Sequence, residues 1–126
     1  MNERQYNILV VDDEENIRWL YQEELEDEGY KVTAAADGEE ALRMVPEIKP
    51  DLVVMDIKMP GISGVDALCK IKEYDKNIPV ILCSAYGEYK QDFSCWASDA
   101  YVVKSASLDE LKNAIADVLK KKYPDK

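Results

Sequence analysis

Five short apolar runs, separated by longer amphipathic stretches, constrain the fold of this chain more than any other feature of its sequence. The runs cover residues 8–11, 32–35, 52–55, 80–83 and 101–103. Four of them are continuously apolar, as is typical of strands buried on both faces of a parallel sheet. The second run is smaller and more polar, which favours a position at the edge of the sheet.

The stretches between these runs have the periodicity of amphipathic helices. They predict helices over 15–28, about 39–48, about 65–74, 88–95 and 108–122. Gly29 is expected to end the first helix, Ser63 or Gly64 to open the third, and Ser107 to cap the last. In the first helix the predicted buried residues are Ile17, Leu20, Tyr21 and Leu25.

Alternation of strands and helices predicts right-handed crossovers and a parallel sheet with helices on both faces. Five such units in 126 residues predict an α/β, flavodoxin-like, doubly wound sheet with strand order 2-1-3-4-5. The whole chain, residues 1–126, is expected to form one domain, with an ordered core over about 6–122 and a frayed tail after Lys122.

Composition excludes several function classes. Lys and Arg number 16 against 26 Asp and Glu, a net charge of −10 that disfavours binding to nucleic acid or to an anionic membrane. The chain has no histidine, which excludes imidazole bases and imidazole zinc sites. Its three widely spaced cysteines, Cys69, Cys83 and Cys95, suit a reducing compartment, with Cys83 expected as a small buried residue. With no membrane-length apolar run and no signal peptide, the sequence predicts a cytoplasmic protein.

Polar residues follow four of the predicted strands. Asp12 and Asp13 follow the first, Asp56 the third, Ser84 the fourth and Lys104 the fifth. Each alone has an ordinary interpretation as a cap, a turn residue or a solvated lysine. The carboxyl ends of parallel strands share one edge, however, and three carboxylates there would repel one another unless a positive charge lay between them. A hard divalent cation such as Mg²⁺, with Lys104 nearby, resolves that conflict.

Four segments give this pattern a family resemblance. They are ILVVDDE at 8–14, DLVVMDIKMPG at 51–61, SAYG at 84–87 and YVVK at 101–104. In this order, and at these strand ends, they resemble the receiver domain of two-component response regulators over essentially the whole chain. The resemblance implies that Asp56 accepts a phosphoryl group from a histidine. Because the chain has no histidine, a partner must supply it: a sensor histidine kinase or a histidine phosphotransfer protein.

The resemblance also implies a metal site. Asp13 and Asp56 would bind Mg²⁺ (or Mn²⁺) through their side chains and Lys58 through its main-chain carbonyl, while Asp12 would act mainly through a water molecule. In this family the first helix is a common docking element for the donor protein. Residues 12–28 hold nine acids against Arg18 alone, which we interpret as a solvated helix face plus the metal site.

The remaining implied roles concern phosphoryl binding and signalling. Ser84 and Lys104 match the residues that hold the phosphoryl oxygens, and Tyr101 matches the aromatic switch residue. Phosphorylation would then change the surface formed by helix four, strand five and helix five. The downstream partner is left open.

The chain departs from the family pattern near that surface. Ser105 replaces the usual proline after Lys104, the segment from Ser84 to Lys104 is slightly short, and residues 94–99 lack the usual Gly-Ala turn. Because a cis peptide before serine costs about 2.5–4 kcal/mol, we expect a trans bond between Lys104 and Ser105.

Two alternatives remain open at this point. A degenerate receiver would bind partners without being phosphorylated. An aspartyl-nucleophile phosphatase of the haloacid-dehalogenase type would need an Asp-x-Asp motif, but Lys58 stands where its second aspartate would be. The favoured interpretation is a signalling domain and not an enzyme, limited to self-catalysed phosphotransfer and autodephosphorylation.

Overall fold

The computed structural model describes residues 5–84, 98–104 and 108–124. Within these residues the elements are β1 (Asn7–Val11), α1 (Glu15–Asp27), β2 (Lys31–Ala35), α2 (Gly38–Ile48), β3 (Leu52–Asp56), α3 (Gly64–Tyr74), β4 (Val80–Ser84), β5 (Ala100–Val103) and α4 (Asp109–Lys122). The helix predicted over 88–95 lies outside the described residues. Among the helices that are described, none combines the length and apolar character needed to span a membrane.

The five strands form one parallel sheet in the order β2-β1-β3-β4-β5. This confirms the predicted fold class and the edge position of β2. The register pairs Val11 with Met55 and Ser84 with Val103, so the carboxyl ends of the inner strands lie together. That edge of the sheet carries the polar residues identified in the sequence.

Two apolar clusters fill the space between the sheet and its helices. On one face Leu9 and Val11 of β1 pack with residues of α2 and α3. On the other face Ile8 and Val10 pack with residues of α1 and α4. Since alternate side chains of a strand point to opposite faces, a strand covered on both faces must be apolar at every position.

The helix ends follow the local sequence with one exception. The Asp37 side chain accepts a hydrogen bond from the Glu40 amide at the start of α2 (2.8 Å), and Ser63 accepts one from the Asp66 amide at the start of α3 (3.1 Å). Gly29, with φ of +97°, follows the end of α1 as predicted. The last helix, α4, begins at Asp109 with Leu108 at its N-cap position and no side-chain cap hydrogen bond, and Ser107, which was predicted as the cap, lies outside the described residues.

One face of α1 differs from its prediction. Tyr21 and Leu25 are buried, but Leu20 is 37% exposed and its neighbour Trp19 is 64% exposed. Successive residues of a helix are rotated by about 100°, so Leu20 falls at the solvent side of the stripe formed by Ile17, Tyr21 and Leu25. The sequence pattern identified the buried stripe of α1 but wrongly included Leu20 in it.

The C-terminal boundary also differs from expectation. Tyr123 lies beyond the predicted limit of the ordered core, yet its ring packs against that of Tyr6 with centroids 5.5 Å apart. Its hydroxyl donates a hydrogen bond to the Asp51 carbonyl oxygen (3.1 Å). The packed part of the chain therefore extends one residue past Lys122.

Candidate metal centre

Three carboxylates meet at the carboxyl edge of the sheet. One oxygen from each of Asp12, Asp13 and Asp56 lies within 4.8 Å of the others. Asp12 and Asp56 are buried, 2% and 8% exposed, whereas Asp13 is exposed to solvent. A cluster that offers only oxygen donors, open on one side for water, fits a hard divalent cation such as Mg²⁺.

Three hydrogen bonds fix the position of Asp12, two through its backbone and one through its side chain. Its amide donates to the Ala35 carbonyl (3.2 Å), and its Oδ1 accepts from the Glu14 amide (2.9 Å). The Arg18 guanidinium donates to the Asp12 carbonyl oxygen (2.8 Å). The sequence patterns assigned no role to Arg18 at the site. Arg18 is the single basic residue among nine acids in residues 12–28, and this contrast could have drawn attention to it.

Lys104 reaches this cluster from the end of β5. Its Nζ lies 2.8 Å from Asp12 Oδ2 and 3.5 Å from Asp56 Oδ1. Its amide donates to the Ser84 carbonyl oxygen (2.7 Å), which joins the ends of β4 and β5. Burial lowers the pKa of Lys104, but the hydrogen bond to Asp12 and the charges of Asp56 and Asp12 outweigh burial and raise it. Lys104 therefore stays protonated and positively charged at neutral pH.

Asp56 is the carboxylate whose ionisation is most affected by its surroundings. Burial raises its pKa, the Lys104 charge lowers it, and the Asp12 charge raises it again. The net result is a pKa of about 6, compared with an ordinary value of 3.8. Desolvation disfavours the charged form of a carboxyl group, and one ammonium shared with Asp12 does not fully offset it.

The other residues singled out in the sequence lie around these four. Ser84 is buried at the end of β4, and Asp56 pairs with Cys83 directly before it. Tyr101, opposite Leu82 in the register, is half-buried and packs against the core cluster on the α2 and α3 side. Lys58 is exposed in the loop after β3. The Lys104–Ser105 peptide bond and the surface around residues 88–95 lie outside the described residues.

A buried contact lies directly beneath the site. The Tyr21 hydroxyl and the Cys83 Sγ are 3.6 Å apart, and both side chains are buried. Burial raises the pKa of the Cys83 thiol to about 11, so it stays neutral near pH 7. This confirms the prediction of Cys83 as a small buried residue.

Gly64 has a structural role at the site that the sequence reasoning missed. A Cβ atom at this position would collide with the carbonyl oxygen of Asp56. The Gly64 amide also donates a hydrogen bond to the Ile57 carbonyl (2.8 Å). The start of α3 can therefore pack directly on the backbone of Asp56 only because residue 64 has no side chain.

Comparison with known proteins agrees with this geometry. The sequence profile of the response regulator receiver domain matches residues 8–116. Sporulation initiation phosphotransferase F of Bacillus subtilis is 39% identical over 121 residues, which cover 94% of this chain and 95% of that protein. Several other curated relatives are longer, and the chain spans between 23% and 50% of their length.

Solved structures give the same result. The response regulator TrrA of Thermotoga maritima, in complex with Mg²⁺-BeF, is 48% identical with a TM-score of 0.88, covering 90% of this chain and 99% of TrrA. TrrA in complex with the histidine kinase ThkA is 49% identical with a TM-score of 0.86, covering 91% of this chain and 99% of TrrA. From its fold, its carboxylate cluster and these similarities, the chain belongs to the response regulator receiver domain family.

Proposed function

We propose that Asp56 is the phosphoacceptor of this receiver domain and that it receives its phosphoryl group from a histidine of a partner protein. The observation that carries this proposal is the position of the Lys104 ammonium, 2.8 Å from Asp12 and 3.5 Å from Asp56, at a nearly buried pair of carboxylates. Phosphoryl transfer depends mainly on positioning and on neutralisation of negative charge, and this arrangement supplies both.

The chemistry requires Asp56 to be ionised. In the proposed step an oxygen of Asp56 attacks the phosphorus of phosphohistidine, the O–P bond forms and the P–N bond breaks. The imidazole leaves with the electron pair of the broken bond and takes up a proton from solvent. The pKa of Asp56 is about 6 without a metal, so most Asp56 carboxylates are already ionised at pH 7.

The metal belongs to this proposal as well. Asp13 and Asp56 would hold Mg²⁺ (or Mn²⁺) through their carboxylates and Lys58 through its carbonyl oxygen, with Asp12 acting through a water molecule. A divalent cation bound there supplies positive charge to the oxygens of the transferred group. Lys104 provides a second positive charge through its ammonium, which lies beside Asp12 and Asp56.

Ser84 and Tyr101 are proposed as the switch residues. Ser84 ends the strand next to β3, so its hydroxyl is at the correct edge of the sheet to reach a phosphoryl oxygen on Asp56. Tyr101 is half-buried on the adjacent strand, with its ring against the core, where a change at Ser84 can be transmitted to it. A phosphoryl group adds charge and acceptor oxygens, which is the driving force for such a change.

The proposed partner is a histidine kinase or a histidine phosphotransfer protein. TrrA, which is 49% identical to this chain, has been solved in complex with the histidine kinase ThkA. In this chain α1 begins directly after the carboxylate cluster and exposes Trp19 and Leu20 to solvent. Exposed apolar side chains on the helix that follows the carboxylate cluster suit docking of the partner's helices.

The two alternatives are not favoured. Asp12, Asp13, Asp56 and Lys104 form one cluster, which a degenerate receiver would not need to keep. A phosphatase of the haloacid-dehalogenase type is disfavoured by the receiver family match over residues 8–116. A catalytic capacity limited to phosphotransfer and autodephosphorylation, a single-domain chain and a cytoplasmic location remain predictions.

The acceptor assignment is tested by phosphorylation with acetyl phosphate and Mg²⁺. Intact-mass spectrometry should detect one phosphoryl adduct on the wild-type protein and none on Asp56→Asn. Asp117→Asn, which removes an exposed acid of α4, is the matched control and should be modified like the wild type. An undiminished adduct on Asp56→Asn would overturn the assignment.

A further inference from the structure

The position of Lys104 depends on the register of a very short strand. β5 has four residues, lies at the edge of the sheet and pairs only with β4 among the described strands. Lys104 follows its last residue, and the Lys104 amide donates to the Ser84 carbonyl oxygen (2.7 Å). A slip of one residue would move Lys104 by about 3.3 Å along the strand and turn its side chain to the opposite face.

Asp99 joins the other end of β5 to β4 by two hydrogen bonds. The Asp99 amide donates to the Val80 carbonyl oxygen (2.7 Å). In return, Asp99 Oδ2 accepts from the Val80 amide (2.8 Å). Asp99 thus bonds both the N–H and the C=O of Val80, the first residue of β4. A slip of β5 by one residue would separate Asp99 from both of these partners.

Lys72 of α3 holds this carboxylate in place. Its Nζ donates to Asp99 Oδ2 (3.0 Å) and to the Ile78 carbonyl oxygen (2.7 Å) in the loop before β4. The Asp99 side chain is 36% exposed, so the ion pair itself contributes little free energy. The effect of Lys72 is geometric, because it fixes the direction of the oxygen that bonds Val80.

We propose that Asp99, held by Lys72, is a positioning residue that sets the register of β5 and thereby places Lys104 beside Asp56. This inference rests on the proposed function, in which Lys104 neutralises charge during phosphoryl transfer. Asp99 does not touch the site. It lies at the opposite end of the strand, five positions before Lys104, and acts through the backbone that both residues share.

The proposal predicts that a change at Asp99 affects the rate of phosphorylation but does not weaken Mg²⁺ affinity. Mg²⁺ would be held by acids that follow β1 and end β3, none of which lies on β5, whereas phosphorylation depends on Lys104. Asp99→Ala should slow phosphorylation by acetyl phosphate about 5-fold, the effect of one lost net hydrogen bond, without weakening Mg²⁺ affinity. Asp99→Asn keeps an acceptor for the Val80 amide and should lie between Asp99→Ala and the wild type. Lys72→Met should resemble Asp99→Asn.

The experiment measures phosphorylation rate by mass spectrometry at saturating Mg²⁺ and Mg²⁺ affinity by calorimetry. All variants are compared at a temperature where circular dichroism finds them fully folded. Lys104→Ala is the reference for loss of the lysine. Tyr123→Phe, which removes the hydrogen bond from the Tyr123 hydroxyl to the Asp51 carbonyl oxygen, is the control for a general loss of stability and should keep the wild-type rate.

The outcomes distinguish this inference from the proposed function. If Lys104→Ala is slow and Asp99→Ala matches the wild type, the positioning role of Asp99 is overturned. A parallel fall in phosphorylation rate and Mg²⁺ affinity would also overturn it, because the whole site would then have been disturbed. If Lys104→Ala itself reacts at the wild-type rate, the role of Lys104 in the proposed function fails. Slow Asp99→Ala with undiminished Mg²⁺ affinity, partly rescued in Asp99→Asn, supports the inference.

Discussion

Replacement of Asp56 by asparagine is expected to stabilise the metal-free protein near neutral pH. Burial raises the pKa of Asp56, the Lys104 charge lowers it and the Asp12 charge raises it, giving about 6 in the folded state against 3.8 as the ordinary value. An acid whose pKa is higher in the folded state binds its proton more tightly there. Its ionisation therefore costs stability as pH rises from about 4 to about 6, and the full cost is present above that range.

The size of this cost follows from the pKa difference. A shift of about 2 units, at 1.36 kcal/mol per unit, corresponds to about 3 kcal/mol at pH 7. Asparagine cannot ionise, so Asp56→Asn should recover most of this energy and be about 1–3 kcal/mol more stable than the wild type. Below about pH 4 the aspartate is protonated in both folded and unfolded states, and the difference should vanish.

Urea denaturation in the presence of a chelator, repeated from pH 4 to pH 7.5, measures the effect. The gain in the free energy of unfolding should appear between pH 4 and 6 and remain constant above that. Asp117→Asn, a change at an exposed acid, should produce no such profile. Added Mg²⁺ should reduce the gain, because it would bind and stabilise the wild-type folded state. A gain of equal size at pH 4 and pH 7.5, or none at pH 7.5, would refute the reasoning.

Two further predictions concern the same site. Asp13→Asn should weaken Mg²⁺ binding more than Asp12→Asn, because the Asp12 carboxylate is already paired with the Lys104 ammonium. Calorimetric titration of both variants checks the order, and the reverse order would contradict the proposed ligands. Gly64→Ala should destabilise the protein by more than about 2 kcal/mol, since the new methyl group meets the Asp56 carbonyl oxygen. Thermal unfolding of this variant measures the loss, and a wild-type melting temperature would contradict the close approach of the two backbones.

The sequence by itself determined the architecture and the location of the site. Apolar runs without alternation indicated strands covered on both faces, and the helical periodicity between them indicated the crossovers, which together predict a parallel sheet. Because the carboxyl ends of parallel strands share an edge, Asp12, Asp13, Asp56 and Lys104 could be assigned to one cluster before any distance was known. These inferences succeed because the periodicity of the apolar residues and the succession of strands and helices along the sequence are properties of the chain itself.

The tertiary structure decided which of these residues touch and what holds them. The contact between Lys104 and Asp12 joins residues 92 positions apart and depends on the register of β5, which is set by the hydrogen bonds of Asp99 to Val80. The need for glycine at residue 64 arises only when α3 packs on the backbone of Asp56. The exposure of Leu20 likewise depends on the rotation of α1 about its own axis when it packs on the sheet. A local pattern specifies the face on which a side chain lies, but its neighbour across the fold depends on register and close packing, which form only when the elements assemble.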